Sequence, residues 1–267
     1  MRRVWTAIVL VPGVLAAVVW APVWLFALLL VLLALQAVRE FYDLAANTGA
    51  EPYRLLGMAL TAGTVLELAL PWPVPARLGV AGMLAAVLVL LGRALSRPDK
   101  MRSSFTSAGV TLLGVAYLGL FLGVFGAIRL QAFGSVWLVF LLLVVWIGDT
   151  VALYAGRAWG GSIWKQPMAP RVSPKKSWEG GLASLTAAAL VGLSVAIWQG
   201  APVLIAVAVV LNVAAQLGDL MESLFKRGAA VKDSGSLLPG HGGVLDRIDA
   251  MLFAAPVLWY YLAFFHP

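Results

Sequence analysis

The sequence predicts an all-α polytopic membrane protein with about nine transmembrane helices, a cytoplasmic amino terminus and a carboxyl terminus outside. Composition, the spacing of apolar runs and the placement of basic residues predict this class. Of the 267 residues, 62% are hydrophobic and 12% are charged, and the mean hydropathy is +0.94. Soluble domains carry about a quarter charged residues and about half apolar ones. A water-soluble core of this length could not bury so much apolar surface.

Nine apolar runs are candidate spans, since a helix needs about 20 apolar residues to cross the hydrocarbon layer. They are Val4–Trp20, Val23–Val38, Leu55–Leu70, Leu78–Leu95, Phe105–Ile128, Val136–Tyr154, Leu182–Trp198, Val203–Leu217 and Ile248–Phe265. Only Ala21-Pro22 separates the first two, so a tight outer hairpin and one broken helix both stay open. The start resembles a signal peptide, but we interpret it as a retained anchor because further spans follow at once.

The basic residues fall almost entirely on one predicted side of the membrane. If the amino terminus lies inside, every Lys and Arg except Arg77 and Arg129 falls in an inner segment. Positive residues next to spans stay on the cytoplasmic side, so this asymmetry supports nine spans with the carboxyl terminus outside. The net charge of +7 is therefore typical of membrane orientation and of contact with anionic head groups. We expect membrane lipid as a partner and no nucleic acid.

Four aspartates fall inside or at the ends of predicted spans, where an ionisable residue is costly and is a candidate for function. Asp149 lies inside the sixth span, Asp219 closes the eighth, and Asp246 and Asp249 open the ninth on one helix face. The alternatives are an internal ion pair for Asp149, for example with Arg157, and helix capping for Asp246 or Asp249. Convergence of these carboxylates would favour a divalent cation. The chain has no cysteine and two histidines, so an oxygen-ligated ion such as Mg²⁺ is expected.

Two predicted inner loops combine glycines with basic side chains. The first runs over residues 160–181 and the second over 223–243. Glycine lets backbone N–H groups approach an anion, and Lys or Arg neutralises its charge. With Mg²⁺ these are the parts of a phosphoryl- or nucleotidyl-transfer site. Neither loop contains a Walker A or dinucleotide fingerprint, and a basic inner loop can also serve orientation and lipid contact alone.

The second loop carries a longer pattern, Ser223-Leu-Phe-Lys226-Arg227-x4-Lys232-Asp233-x-Gly235-x2-Leu238-Pro239-x-His241-Gly242-Gly243-x2-Asp246-Arg247-x-Asp249. This pattern resembles the signature of phosphatidate cytidylyltransferases. Two further stretches resemble the same family: Gly148-Asp149-Thr150 with Tyr154-Ala-Gly156-Arg157, and Ser173-Pro174-Lys175-Lys176-Ser177-Trp178-Glu179-Gly180. The resemblance covers the carboxyl-terminal half in detail, whereas the amino-terminal half matches only as hydrophobic spans. Ser177 stands where threonine is also common.

The resemblance implies a Mg²⁺-dependent enzyme that condenses CTP with phosphatidic acid, giving CDP-diacylglycerol and pyrophosphate. A phosphate oxygen of the lipid would attack the α-phosphorus of CTP directly, because positioning and charge stabilisation can carry the step. Such enzymes are multi-pass proteins of the cell inner membrane, with an active site facing the cytoplasm, and a homodimer is expected. A second, monovalent ion stays open. We interpret residues 1–267 as a single catalytic domain, with 1–135 mainly scaffold and 136–267 bearing the motifs.

The resemblance also implies roles for individual residues. The predicted metal ligands are Asp219, Asp246 and Asp249, with Asp149 completing or tuning the site. The predicted catalytic residues are Asp219, Asp246, Lys226 and Asp249. The residues predicted to grip the CTP phosphates and the pyrophosphate are Lys226, Arg227, Lys232 and Arg247. The residues predicted to hold the lipid head group or to close over the nucleotide are Ser173, Lys175 and Lys176. Ser223 and His241 complete the predicted substrate-binding set, although His241 could also lie in a plain polar turn.

Two other classes of function compete with this interpretation. One is related chemistry: a CTP-dependent kinase of a membrane alcohol, or a cytidylyltransferase for a different lipid phosphate. The other is an ion-coupled transporter in which Asp149 and Asp219 relay ions. A transporter predicts charges distributed through the depth of the membrane, whereas these cluster on one side. The cytidylyltransferase interpretation requires Asp149, Asp219 and Asp246 to meet around one cation.

Overall fold

The computed structural model describes residues 2–71, 85–93, 101–237 and 242–265, and within these ranges it is all-helical. The α-helices are α1 (Arg2–Trp20), α2 (Val23–Asn47), α3 (Arg54–Ala69), α4 (residues 85–93), α5 (Met101–Gly114), α6 (Phe121–Arg129), α7 (Gly134–Trp159), α8 (Trp178–Gln199), α9 (Val203–Gly228) and α10 (Leu245–Phe265). A π-helical segment, Val115–Leu120, joins α5 to α6. One isolated bridge pairs Ala169 with Ser173.

Six helical segments in the described ranges are long and apolar enough to cross a membrane. They are Val23–Asn47, Ser103–Arg129, Gly134–Trp159, Trp178–Gln199, Val203–Gly228 and Leu245–Phe265. The predicted class of polytopic helical membrane protein is therefore confirmed. The count of nine spans and the placement of the termini stay predictions. Helix α3 has only 16 residues, and half of the predicted span Leu78–Leu95 lies outside the described residues.

Two predicted spans end too early compared with the helices that contain them. The span predicted at Val23–Val38 belongs to α2, which continues to Asn47, and the span predicted at Val203–Leu217 belongs to α9, which continues to Gly228. Helical hydrogen bonds are local, so a helix continues past its apolar run when its polar side chains find partners. Asp219 thus lies inside α9, and the second motif loop begins later than the sequence predicts.

The described chain divides into two compact units. Unit 1 contains Met1–Ser135 and Phe225–Arg247, and unit 2 contains Val136–Leu224 and Ile248–Pro267. The sequence predicts the limit between scaffold and motif-bearing residues at residue 135. Most of the second motif loop nevertheless packs with the amino-terminal helices. The assignment of the chain to a single catalytic domain stays a prediction.

In unit 1, Tyr42 of α2 is fully buried and connects three helices. Its hydroxyl donates to the carbonyl oxygen of Thr111 in α5 at 2.9 Å, and its ring lies against Gly57 of α3 and Gly114 of α5. A Cβ at either glycine would overlap the ring. Small residues let helices approach closely in a membrane, where packing supplies much of the attraction between them. The two glycines therefore make room for Tyr42 at this helix crossing.

The π-helical segment directs Tyr117 into an aromatic cluster within unit 1. The ring of Tyr117 lies 6.0 Å from Phe41, 5.8 Å from Phe121 and 5.8 Å from Phe225, measured between centroids. A π-turn inserts one extra residue into a helix and rotates the following side chains, and such segments are frequent near functional sites. Phe225 directly precedes Lys226 of the motif. The cluster therefore anchors the chain where the second motif begins.

In unit 2, a series of side-chain hydrogen bonds connects α8 with α9. The amide oxygen of Asn212 accepts from the Ser184 hydroxyl at 3.0 Å and from the Gln216 side chain at 2.8 Å. Gln216 also donates to the carbonyl oxygen of Gly181 at 3.2 Å. Gly148 of α7 lies against Asn212, where any Cβ would overlap the amide. This packing fixes the stretch of α7 that carries Asp149.

We expect Gly57→Ala to destabilise the protein by about 1–3 kcal/mol, because the added methyl group must displace the buried Tyr42 ring. The matched control is Gly63→Ala on the same helix, where a Cβ meets no atom within 4 Å. The control should be neutral or up to about 1 kcal/mol more stable, because alanine favours helix. Thermal stability of the detergent-solubilised variants, measured by fluorescence-detected size exclusion, checks this. Equal stability of both variants would contradict it.

Candidate functional site

Unit 2 gathers two aspartates and a lysine, here called the carboxylate cluster. Asp149 of α7 lies close enough to Asp219 of α9 and to Lys176 for their charges to interact. The ammonium group of Lys176 lies 2.7 Å from Oδ2 of Asp219, and the Ser223 hydroxyl lies 3.5 Å from Oδ1. Asp149 and Asp219 both remain accessible. The predicted meeting of these two carboxylates is therefore found, with Lys176 as their compensating charge.

A tight turn before α8 places Lys176. Its amide donates to the carbonyl oxygen of Ser173 at 3.1 Å, and its own carbonyl oxygen accepts from Met168 at 2.8 Å. The next residue, Ser177, is the N-cap of α8 and accepts the amide hydrogen of Gly180 at 3.1 Å. Serine is a favoured N-cap because its oxygen satisfies a helix N–H that has no partner within the helix. The first motif stretch is therefore a helix start that holds a lysine beside Asp219.

Glu179, to which the sequence assigns no role, ties the first motif loop to α8. Its side chain is buried, and Oε1 accepts from the backbone N–H groups of Ile163 at 2.9 Å and Trp164 at 3.1 Å. Hydrogen bonds from backbone N–H groups to an ionised carboxylate are stronger than those between neutral groups. The loop over residues 160–165 is thus fixed to the first turn of α8.

Unit 1 contains a second group of charged residues, here called the motif-loop cluster: Lys226, Ser234 and Asp246. The ammonium group of Lys226 lies 2.6 Å from Oδ1 of Asp246, and both side chains are largely buried. Oδ2 of Asp246 accepts from the Ser234 amide at 2.9 Å, the Ser234 hydroxyl at 3.0 Å and the Gly243 amide at 2.8 Å. Asp246 therefore closes the motif loop on itself while it pairs with Lys226. The contact with Gly243 agrees with the capping alternative.

The remaining predicted site residues are less enclosed. The exposed residues are Lys175, Arg227, Lys232 and Arg247. Ser173 is partly buried in the turn before α8, and Arg227 donates to the carbonyl oxygen of Val231 at 3.3 Å. Oδ1 of Asp249 accepts from the neighbouring Ala250 amide at 2.8 Å. His241 lies outside the described residues.

Glu40 of α2 contacts the motif loop, although it lies outside the motifs. It is buried, and its carboxylate accepts from the amides of Val244 and Leu245 and from the Ser234 hydroxyl. The sequence does contain one indication of a role for Glu40, because it is an acidic residue just beyond a predicted span. Nothing in the sequence, however, identifies its distant partners.

The residues fit Mg²⁺ in part. Across the residues that the structure describes, no group of three or more Asp, Glu or His side chains could hold a metal ion alone. Mg²⁺ is usually held by one or two carboxylates, with substrate phosphates and water completing its shell. The pair Asp149 and Asp219 suits that arrangement. Asp246 has one oxygen committed to three donors, and only Oδ1, beside Lys226, could serve a cation. The participation of Asp246 and Asp249 in a metal site stays a prediction.

These properties define a polytopic helical membrane protein whose charged side chains gather at motif-bearing segments. The chain belongs to the Cytidylyltransferase family, whose model matches residues 1–265. The resemblance predicted from the motif residues is thus confirmed.

Curated relatives carry a more specific name. The chain is 44% identical to a phosphatidate cytidylyltransferase of Brucella abortus over 160 residues, which cover 55% of this chain and 56% of the relative. It is 38% identical to a phosphatidate cytidylyltransferase of Staphylococcus saprophyticus over 168 residues, covering 60% and 61%. A Staphylococcus epidermidis protein of the same name is 38% identical over 185 residues, covering 66% of each. The chain therefore spans 56% to 66% of the length of these curated relatives.

We expect Glu179→Ala to loosen the first motif loop, because the amides of Ile163 and Trp164 lose their carboxylate acceptor. Each hydrogen bond to a charged group contributes about 1.5–3 kcal/mol, so amide exchange over residues 160–165 should accelerate by roughly tenfold or more. Hydrogen–deuterium exchange with mass spectrometry measures this. Ser194→Ala on the same helix is the control, because its hydroxyl bonds only within α8, to Leu190. Unchanged exchange in Glu179→Ala would contradict the role of Glu179.

Proposed function

We propose that this chain is a phosphatidate cytidylyltransferase, a membrane nucleotidyltransferase of phospholipid biosynthesis. It would transfer CMP from CTP to phosphatidic acid in a Mg²⁺-dependent reaction, giving CDP-diacylglycerol and pyrophosphate. The observation that carries the proposal is the carboxylate cluster of Asp149, Asp219 and Lys176 in a member of the Cytidylyltransferase family. Carboxylates for a cation beside a fixed ammonium group suit the transfer of a charged phosphoryl group.

In unit 2, Asp149 and Asp219 are the proposed ligands of Mg²⁺. When bound, the ion would neutralise charge on the CTP phosphates. Lys176 compensates Asp219 in the absence of a cation, and its flexible side chain can turn to a phosphate oxygen when the cation takes over that carboxylate. Ser173 and Lys175, in the turn that holds Lys176, are proposed to contact the lipid head group or the nucleotide. Ser223, next to Asp219, is proposed to contact substrate.

In unit 1, the motif loop is proposed to supply positive charge to the phosphates of CTP and to the leaving pyrophosphate. Its proposed contacts are Lys226, Arg227, Lys232 and Arg247, with His241 as a further donor. Asp246 holds Lys226 through a short ion pair, so the ammonium group has a defined position before an anion arrives. Asp246 and Asp249 remain proposed metal ligands, and a second, monovalent ion stays open.

The lipid substrate sets the proposed location. Phosphatidic acid keeps its acyl chains in the bilayer, so its phosphate can reach a polar site at the edge of the membrane. Irregular backbone at membrane depth is tolerated only where it lines a cavity or lies within protein. We propose an inner-membrane protein with nine spans and an active site facing the cytoplasm, where CTP is present. A homodimer is also proposed.

The test is a transfer assay with purified protein in lipid nanodiscs, phosphatidic acid and Mg²⁺. CTP labelled on the α-phosphorus should give a labelled lipid, whereas CTP labelled on the γ-phosphorus should release labelled pyrophosphate. A lipid kinase would instead transfer the labelled γ-phosphoryl group to its lipid acceptor and leave the α-label in CDP. If folded protein gives no labelled lipid from α-labelled or from γ-labelled CTP, the proposal fails and the transporter interpretation is favoured.

Asp219→Asn should lower turnover by about two orders of magnitude or more, since charge stabilisation by a metal supplies several kcal/mol of the barrier reduction. The Mg²⁺ concentration for half-maximal rate should also rise, because an amide is a weaker ligand than a carboxylate. Steady-state kinetics over a Mg²⁺ titration measures both. Glu51→Gln, an exposed acid of unit 1, is the control for loss of one charge. Wild-type turnover and Mg²⁺ dependence in Asp219→Asn would remove Asp219 from the metal site.

A further inference from the structure

Glu40 lies outside every motif and yet reaches the motif loop. It belongs to α2, in the half of the chain that the sequence presents as scaffold, and its side chain is only 3% exposed. Its partners Val244 and Leu245 follow it by 204 and 205 residues. A carboxylate buried this deeply is costly unless donors surround it. The contacts of Glu40 therefore indicate what it does.

Four donors from two parts of unit 1 surround this carboxylate. Oε1 accepts from the Val244 amide at 3.0 Å and from the Gln36 side chain at 2.9 Å. Oε2 accepts from the Leu245 amide at 2.8 Å and from the Ser234 hydroxyl at 3.1 Å. The amides of Val244 and Leu245 are at the start of α10, where helix N–H groups lack partners and negative charge is favoured. Glu40 thus fixes the start of α10 to α2.

The motif loop is closely fitted around Glu40. A Cβ at Gly235 or at Gly243 would overlap the carboxyl group of Glu40. Both glycines are fixed positions of the motif, and neither has a positive φ. Their small size therefore serves the close approach of the loop to a side chain, and not a special backbone conformation. Two positions of the motif are explained by a residue that lies outside it.

One hydroxyl group connects Glu40 to the charged pair of the motif. The Ser234 oxygen lies 3.1 Å from Oε2 of Glu40 and 3.0 Å from Oδ2 of Asp246. A hydroxyl has a single hydrogen, so it can donate to only one of the two carboxylates at a time. Oδ1 of Asp246 in turn holds the ammonium group of Lys226 at 2.6 Å. A continuous path of contacts therefore runs from Glu40 through Ser234 and Asp246 to Lys226.

We propose that Glu40 is a positioning residue for nucleotide recognition: it holds the motif loop so that Lys226 presents its charge to the phosphates of CTP. The proposal rests on the proposed function for its substrate. Glu40 touches no substrate in this role and acts through Ser234 and Asp246. A purely structural role would lower the amount of folded protein. A positioning role also changes the kinetics of one substrate more than the other.

The test is Glu40→Gln, which keeps the size of the side chain but replaces one acceptor oxygen with a donor. An NH₂ group then faces a backbone N–H of Val244 or Leu245, and the loop loses one of its hydrogen bonds to residue 40. The kcat/KM for CTP should fall by roughly 10- to 100-fold, the range for lost supporting contacts around a site, mainly through KM. The KM for phosphatidic acid should change less than threefold. Hydrogen exchange over 232–245 should rise, while the peptides of α3 keep their protection.

Asp43→Asn is the matched control, because Asp43 lies on the same helix, is half exposed and pairs with Arg54 at the surface. It should match the wild type in kinetics and exchange. Ser234→Ala is a milder second variant that removes the shared hydroxyl, and its effect should have the same direction as Glu40→Gln. Exchange that rises throughout unit 1, or KM values for both substrates that shift equally, overturns the positioning role. Wild-type loop protection in Glu40→Gln also overturns it.

The exchange arm keeps this test separate from the proposed function. If the wild type transfers no CMP, the proposed function fails, but loop-confined exchange in Glu40→Gln still shows that Glu40 holds the motif loop. If the wild type is active and Glu40→Gln shows wild-type exchange and kinetics, the positioning role alone fails.

Discussion

Charge compensation in apolar surroundings governs this structure, because an ionised side chain there must be paired or richly hydrogen-bonded. The carboxylate of Asp246 pairs with Lys226 at 2.6 Å, and that of Asp219 pairs with Lys176 at 2.7 Å. Glu40 is compensated differently, by backbone N–H groups at the start of α10 and by side-chain donors. The Lys226–Asp246 pair joins α9 to the first turn of α10, and the Lys176–Asp219 pair joins the turn before α8 to α9. Compensation of charge therefore also determines where the ends of the motif segments lie.

The two lysine–aspartate pairs differ in how fully their carboxylates are used. Asp246 is nearly enclosed, and three donors share Oδ2 in addition to the lysine on Oδ1. Asp219 is about one third exposed and has a lysine and a distant hydroxyl as its described contacts. A carboxylate that already has many fixed donors gains less from a new cation than an accessible one. Asp219 is therefore the more accessible of the two carboxylates, in keeping with the cation site proposed at Asp149 and Asp219, whereas Asp246 is held by more contacts.

Composition and charge placement were sufficient to predict a helical membrane protein, because the bilayer restricts lipid-exposed backbone to helices or closed barrels. They were insufficient for helix ends, since a hydropathy run stops at the first charges whereas α9 continues to Gly228 through its paired polar residues. The cost of ionisable residues in spans marks Asp149 and Asp219 as candidates for function, whereas their convergence is an assumption at the level of the sequence. The role of Glu40 was not predictable, because it depends on contacts more than 200 residues away in the chain that no local pattern encodes. The π-helical segment was equally invisible, because residues 115–120 form part of one continuous apolar run in the sequence.

The amino-terminal half is consequently more than a set of apolar spans. Tyr117 and Phe41 pack on Phe225, the residue before Lys226, and Glu40 holds the other end of the same loop at Leu245. These contacts fix the two ends of the segment, so that part of the ordering cost of any ligand binding there is met during folding. Glycines at 235 and 243 make that fixation sterically possible. In unit 1, the motif residues Lys226 and Asp246 thus supply charges, and helices that lack motifs contact both ends of the segment that carries them.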